Sequence, residues 1–321
     1  MSRKTKKLPF ISFIIPTFNS GKYLRGCLNS IKKQDYPKGR IEILIIDGGS
    51  KDRTVKIARK FKTKILGNPD VDAESGKSIG IKEAKGEIIC LLDSDNEIVQ
   101  KEWLKEMVRP MIRHKDLWGV ESPWLLNEAD GLINKYFALL QVADPVARKF
   151  HPVEMKEKEY KEYVILEPKR KVPVVGANGF LWRKSFIKQI GKHIPKFEEV
   201  NYVSLMMKGG KYKYARSKKV GIYHYYSDSV ENYINKRLKI GRKFLERKSN
   251  RQPTWVDRVS WGEFLRSIVF NTSIVGPSLE AIGEYRKSKQ KAWILHPFFS
   301  LLTVLVYVYT TIERFWKGSQ R

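Results

Sequence analysis

The sequence predicts an α/β fold, a mostly parallel central sheet with helices on both faces, followed by a helical region toward the C-terminus. Three observations carry that prediction. Short apolar runs alternate with amphipathic helical stretches as far as Leu92, the loops that follow three of those runs are polar and glycine- or aspartate-rich, and a long uncharged stretch lies near the end of the chain. Repeated strand and helix units imply a parallel sheet whose ligands bind beyond the carboxyl ends of its strands.

The elements follow in order. Phe10 to Ile15 is of strand length, and Pro9 and Pro16 bound it, so the basic and then briefly apolar start is a tail followed by a first strand rather than a signal peptide. Lys22 to Lys33 places Leu24, Leu28 and Ile31 on one helical face, and Ile41 to Ile46 (IEILII) is a second buried strand. Asp52 to Phe61 is a second helix with Asp52 near its start, Lys64 to Leu66 a short strand, Ser75 to Ala84 a third helix and Glu87 to Leu92 a further strand. Helices are also expected over Arg183 to Ile190, before Gly209-Gly210, and over Tyr233 to Lys248.

Composition restricts the partners. The 321 residues include 62 Lys and Arg against 34 Asp and Glu, a net charge of +28, which draws a chain to anionic lipid, phosphorylated substrates or nucleic acid. The basic residues are spread along the whole chain with no zinc-finger spacing or RNP-type motif, so nucleic acid is the weaker expectation. Cys27 and Cys90 have no metal-type spacing and lie in a helix and a strand, as buried thiols of a reducing compartment would.

The chemistry is expected in the loops after Ile15, Ile46 and Leu92. They read Pro16-Thr17-Phe18-Asn19-Ser20-Gly21, Asp47-Gly48-Gly49-Ser50-Lys51-Asp52 and Asp93-Ser94-Asp95-Asn96. Side chains alternate along a strand, so Asp93 and Asp95 leave the sheet on the same side, where a divalent cation with polyphosphate oxygens relieves their repulsion. An Asp-rich turn capping the next helix has the same composition. No G-x-G-x-x-G opens a helix and no P-loop occurs, which disfavours a dinucleotide fold and a P-loop NTPase. Asp93 and Asp95 are also too close in sequence to flank a sugar from opposite faces as a glycosidase pair does.

PTFNSGKYLRGCLNSIKKQ, IEILIIDGGSKDRT and LLDSDN, in that order, resemble the nucleotide-binding half of family 2 glycosyltransferases, which have the GT-A fold. The resemblance covers roughly residues 8–245, with 1–7 a basic tail and 246–321 a helical region. It implies inverting transfer of a sugar from a nucleotide donor, UDP-linked by preference, with Mn²⁺ or Mg²⁺ as cofactor. Pro16, Thr17, Asn19, Asp47, Gly48, Lys77 and Ser94 would then bind the nucleotide, with Asp47 on the base, and Asp93 and Asp95 would hold the metal and diphosphate. Lys77 matches the family's basic residue, whereas Ser78 stands where the family often has Asn.

Further along, Gly176-Ala177-Asn178-Gly179, after the apolar lead Val172 to Val175, is similar to the loop beneath the donor sugar. Glu198-Glu199 resembles the acidic pair whose second member takes the proton of the acceptor hydroxyl; Glu stands here for the usual Asp, so Glu198 is the rival to Glu199 as base. In related transferases a His at the position of His224 helps hold the metal, while a His among tyrosines is equally a packed core residue. Lys236 and Arg237 are expected to meet the diphosphate. No Q-x-x-R-W occurs, which points to transfer of one sugar at a time. The acceptor is then a hydroxyl of a lipid-linked or cell-envelope glycan, or the phosphate of a polyprenyl phosphate, which needs little basic help.

Residues 292–312 carry no formal charge, and Trp293, Tyr307, Tyr309 and Trp316 suit interfacial belts, so the segment either spans a bilayer or lies on it. Arg258 to Gly283 is expected as an amphipathic surface helix broken near Gly276-Pro277, and Asn134 to Val142 as a further apolar patch. These segments predict membrane association through anionic lipid, with the catalytic domain on the cytoplasmic side.

Overall fold

The computed structural model describes residues 8–150, 154–169, 173, 175–191, 196–210, 213–249 and 260–318. The expected basic tail and the positions Val172 and Val174 lie outside them. The strand and helix alternation emerges within two residues of expectation: β1 (Ile11–Thr17), α1 (Leu24–Lys32), β2 (Ile41–Asp47), α2 (Thr54–Lys60), β3 (Lys64–Gly67), α3 (Ala73–Glu83) and β4 (Ile88–Leu91). Parallel strands buried on both faces are continuous apolar runs, which is why β1, β2 and β4 were legible, while β3 is a short, half-exposed edge strand.

The chain divides into two units, Met1–Pro123 with Val153–His224, and Trp124–Pro152 with Tyr225–Arg321. In the first, β1 lies between β2 and β4, all parallel, with Thr17 opposite Asp47 and Ile14 opposite Leu91. Beyond β4 the sheet continues through short strands that the sequence did not announce: β6 (Gly119–Glu121), β7 (Met155–Glu159), β8 (Tyr163–Pro168), β9 (Phe180–Arg183) and β10 (Tyr214–Ser217). The nine strands run in the order β3-β2-β1-β4-β9-β6-β10-β8-β7, with β9 antiparallel to β4 and β6. A separate two-stranded sheet pairs β5 (Asn96–Ile98) with β11 (Ile222–His224) in antiparallel fashion.

Strand alternation sorts the core of this unit onto two faces. On one, Ile14, Leu44, Ile46, Ile89 and Leu91 pack with Trp118, Phe180 and Trp182, and Ile79 and Ile81 of α3 cover them. On the other, Phe13 meets Trp103 at the start of α4 (Trp103–Arg113), ring centroids 6.5 Å apart. Helices therefore cover both faces, and the free edge is the one where β1, β2 and β4 end. Two further helices, α7 (Lys184–Gly191) and α8 (Glu199–Lys208), complete the unit.

The second unit gathers α5 (Leu132–Leu140), α6 (Pro145–Phe150), α9 (Val230–Ser249), α10 (Trp261–Thr272), α11 (Val275–Ser288) and α12 (His296–Gly318). A cut at residue 245 passes through α9, which packs on α12 and holds it by a bidentate pair from Arg242 Nε and Nη2 to Glu313 Oε2 and Oε1, 2.7 and 3.1 Å. The break expected near Gly276-Pro277 falls instead at Ser273-Ile274. Pro277 sits in the first turn of α11, where its missing N–H costs no helical hydrogen bond, so it starts the helix rather than breaking it. The stretch Lys291–Lys317, with a mean hydropathy of 1.7 over its most apolar 18 residues, is long and apolar enough to cross a membrane.

Candidate active site

Because β1, β2 and β4 are parallel, their C-terminal loops converge, and Asp47 is the knot that ties two of them. Its Oδ1 accepts from Thr17 Oγ1 at 2.9 Å and Ser50 Oγ at 2.6 Å, and its Oδ2 from the Gly49 and Ser50 N–H groups at 3.0 and 2.8 Å. Four bonds occupy about as many lone-pair sites as a carboxylate has. Asn19, with a left-handed φ of 49°, adds a second tie: its N–H donates to Ser50 Oγ at 2.8 Å and its Oδ1 accepts from the Lys51 N–H at 2.9 Å. Gly48 N–H donates to the Thr17 carbonyl at 2.8 Å, and Pro16 is half-buried at the root of the first loop. The third loop joins through Ser94 Oγ, which donates to Ser20 Oγ at 2.9 Å.

Asp93 and Asp95 do not continue the strand. β4 stops at Leu91, and the Asn96 N–H donates to the Asp93 carbonyl at 3.0 Å, a tight turn that brings both carboxylates to one side without strand alternation. The buried Asn96 side chain fixes the turn by accepting the Asp93 N–H at 3.0 Å. Asn96 is also the register partner of His224 in the β5–β11 ladder, and this pairing sets His224 Nε2 3.5 Å from Asp95 Oδ1. One ligand atom each from Asp93, Asp95 and His224 lies within 4.8 Å of the others. Two hard oxygens and an imidazole nitrogen are a donor set that suits Mn²⁺ or Mg²⁺. Cys27 Sγ approaches the Asp93 carbonyl at 3.8 Å, and burial, with the charges of Asp95 and Asp93, pushes its thiol well up, so it stays protonated. Both cysteines are buried and free.

The second half of the unit brings its residues to the same edge. β9 runs beside β4, and the Gly179 N–H donates to the Leu91 carbonyl at 2.7 Å, so Gly176, Ala177 and Asn178 lie next to the acidic turn. Gly176 has a φ of 120°, and a Cβ there would stand 2.5 Å from Trp182 and 3.1 Å from Glu199 Cβ, a contact only glycine permits. Asn178 Oδ1 is buried with no hydrogen-bond partner among the described residues.

Glu199 opens α8 and is ion-paired with Lys77 of α3. Burial works against the Lys77 charge, but the Glu199 and Asp93 carboxylates outweigh it and hold the ammonium above its usual range. Glu198, at the N-cap, accepts from Asn201 Nδ2 at 2.7 Å. Ser78, where the resemblance implied Asn, accepts the Phe197 N–H at 2.7 Å and so braces the approach to Glu198 and Glu199. Lys236 and Arg237 belong to α9 in the second unit and are held inside it. Lys236 Nζ donates to the Tyr226 carbonyl, and Arg237 donates to the Tyr226 hydroxyl and, at 3.2 Å, to Asp144 Oδ2.

The positioning roles of Ser50, Ser78 and Asn96 escaped the sequence reading; Ser50 and Asn96 stood within the quoted loops, while nothing in the sequence pairs Ser78 with Phe197.

Residues 12–121, which contain all three converging loops, match the family described as Glycosyl transferase family 2. Residues 12–121 thus carry a family 2 glycosyltransferase domain. Glycosyltransferase AglE of Haloferax volcanii is 36% identical over 110 residues, 32% of this chain and 36% of that protein. The dolichyl N-acetyl-alpha-D-glucosaminyl phosphate 3-beta-D-2,3-diacetamido-2,3-dideoxy-beta-D-glucuronosyltransferase of Methanococcus voltae is 35% identical over 133 residues, 39% of this chain and 40% of that protein. The matched region thus spans well under half the length of these relatives. In fold, a mannosyltransferase of Pyrobaculum calidifontis, solved with GDP-Man and Mn²⁺, matches 95% of this chain and 88% of its own with a TM-score of 0.57 at 12% identity. The fold of the chain is GT-A, mixed α/β with a large central sheet that is parallel through β3-β2-β1-β4, followed by one C-terminal apolar helix among the described residues.

Proposed function

We propose that the chain is an inverting, single-sugar transferase that moves a sugar from a nucleoside-diphosphate donor, UDP-linked, to a hydroxyl of a lipid-linked or cell-envelope glycan at the cytoplasmic face of a membrane. The convergence of Asp93, Asp95 and His224 beside the loops tied by Asp47 carries this reading. A divalent ion held by these three would offset the negative charge of the departing diphosphate. Thr17, Asn19 and Asp47 shape the nucleotide site as one rigid unit, with Pro16, Gly48 and Ser94 at its walls. Lys77 places a fixed positive charge between the acidic turn and Glu199. Glu199 accepts the proton of the acceptor hydroxyl, with Gly176, Ala177 and Asn178 beneath the sugar. The Methanococcus voltae relative's name supports a lipid-linked acceptor, and the apolar C-terminal helix supports the membrane.

One observation favours a second reading. Glu199 is neutralised by Lys77, and a polyprenyl phosphate acceptor, already ionised, needs no base. Both readings release nucleoside diphosphate from a nucleotide sugar, so its release tests the transferase and the Glu199 variant separates the acceptors. Chelation abolishes turnover and Mn²⁺ restores it, and Asp95→Asn lowers it about 10²- to 10³-fold; full turnover in chelator refutes the metal. Glu199→Gln lowers transfer to a hydroxyl acceptor by about 10²- to 10⁴-fold, whereas unchanged turnover selects the phosphate acceptor.

A further inference from the structure

In α10 and α11 the usual polarity of a helix is reversed. The residues they bury are Ser267 and Asn271, and Pro277 and Ala281, small or polar in every case. Phe264 and Ile268 of α10 pack inward on Val146 and Val304, but six other large apolar residues point outward: Trp261, Leu265 and Val269 on α10, and Val275, Leu279 and Ile282 on α11. Small and hydroxyl residues inside with bulky apolar residues outside is the pattern of helices packed within lipid.

Charge is segregated along the same pair. From Ser267 to Leu279 no residue is charged, whereas Glu263 and Arg266 lie toward the start of α10 and Arg286, Lys287 and Lys289 at the end of α11. The corner joining the helices is therefore uncharged, and Val269, Ile274, Val275 and Leu279 around it are each more than half exposed. Trp261 and Tyr285, aromatic residues of the interfacial type, stand at the ends away from the corner.

The corner also satisfies its hydroxyl groups and the Gly276 N–H internally, as an acyl environment demands. Thr272 Oγ1 donates to the Ile268 carbonyl and Ser273 Oγ to the Phe270 carbonyl, both at 2.8 Å, and the Gly276 N–H donates to Ser273 Oγ at 3.1 Å. Phe270 lies so close over Gly276 that a Cβ would stand 2.6 Å from its ring, which closes the corner tightly. The 12 residues of α10 measure about 18 Å at 1.5 Å per residue, close to one leaflet's share of the roughly 30 Å hydrocarbon core.

We infer that the α10–α11 corner inserts into the acyl region of one leaflet, with Trp261, Tyr285 and the basic end of α11 at the headgroups of anionic lipid. The inference rests on the membrane-associated part of the reading above and adds a second, shallow insertion to α12. It is tested on the full chain, whose native cysteines are buried, by placing an environment-sensitive label through Ile274→Cys, Leu279→Cys or Lys289→Cys and binding the protein to vesicles of phosphatidylcholine and phosphatidylglycerol that carry an acyl-chain quencher. Labels at 274 and 279 shift to the blue and are quenched about fivefold or more above the label at 289. Equal quenching at the three positions overturns the inference, as does a chain that does not float with the vesicles. Two corner positions guard against one substitution disturbing the bend. Nucleotide-sugar turnover, measured on the same labelled proteins, keeps the two readings apart. A chain that inserts its corner without turnover supports insertion and removes the transferase reading; one that turns over with an unquenched corner removes insertion alone.

Discussion

Both units bury aromatic rings, but they differ in the polar groups buried with those rings and in what they expose. In the first, Trp118, Phe180, Trp182 and Tyr214 stack into a large apolar core, and polar side chains gather at the free edge of the sheet. In the second, His296, Ser300, Thr303 and Thr310 are buried along α12 while Leu305, Ile312, Phe315 and Trp316 face outward. The difference is the one that the proposed membrane contact of the second unit would require. The first gains stability by removing apolar area from water. The second adds buried hydroxyl and imidazole groups to its ring packing, and many of its large apolar side chains face outward.

The comparison breaks most easily at Trp182, which is fully buried and donates through Nε1 to the Gly176 carbonyl at 2.7 Å. Trp182→Ala is expected to cost about 3–5 kcal/mol in a urea titration of the full chain in detergent. A smaller loss from one of the three fully buried tryptophans of this unit would show that it is not held by apolar burial. A lesser effect is expected in the second unit, where the Tyr233 and Thr303 hydroxyls meet at 2.5 Å and Thr303 also donates to the Phe299 carbonyl. Thr303→Val keeps the shape and removes the polar atom, for a loss of about 1–3 kcal/mol by the same titration; a neutral result would mean that the buried hydroxyls are incidental.

The smallest effect is confined to acid and to the first unit. Asp72 caps α3, and Lys196 Nζ binds its Oδ2 at 2.9 Å. Burial opposes the Asp72 charge, but the bonds from Ser75 and Lys196 prevail and hold its carboxyl well below the usual range. A carboxyl depressed by folding contributes fully above its unfolded value, about 3.9, and loses that contribution as the pH falls through its folded value. Thermal melts of the chain and of Asp72→Asn should therefore differ at pH 7 and converge as the pH drops below about 4. A gap that stays constant would remove the linkage.

The first sheet was legible because its strands are long and apolar and its loops are distinctive. Strands β5, β6 and β11 have three residues each, too few to carry a period, and they exist because a partner lies alongside. The pairing of Lys77 with Glu199 joins residues 122 positions apart, so neither sequence position announces the other. The reversal in α10 and α11 was hidden for a different reason. Spacing reveals that an apolar stripe exists along a helix, but the same spacing serves a stripe turned toward protein and one turned toward lipid.

The ladder between Asn96 and His224 delivers the imidazole through only three residue pairs. Slipping such a ribbon by one position reverses every side chain on it, so Tyr223 would take the place of His224 beside the carboxylates. The two acids arrive with their own local bend, whereas the histidine depends on a strand folded more than a hundred residues later. Full cation affinity would therefore appear only once that late ribbon has zipped into register, making ion uptake a readout of finished folding.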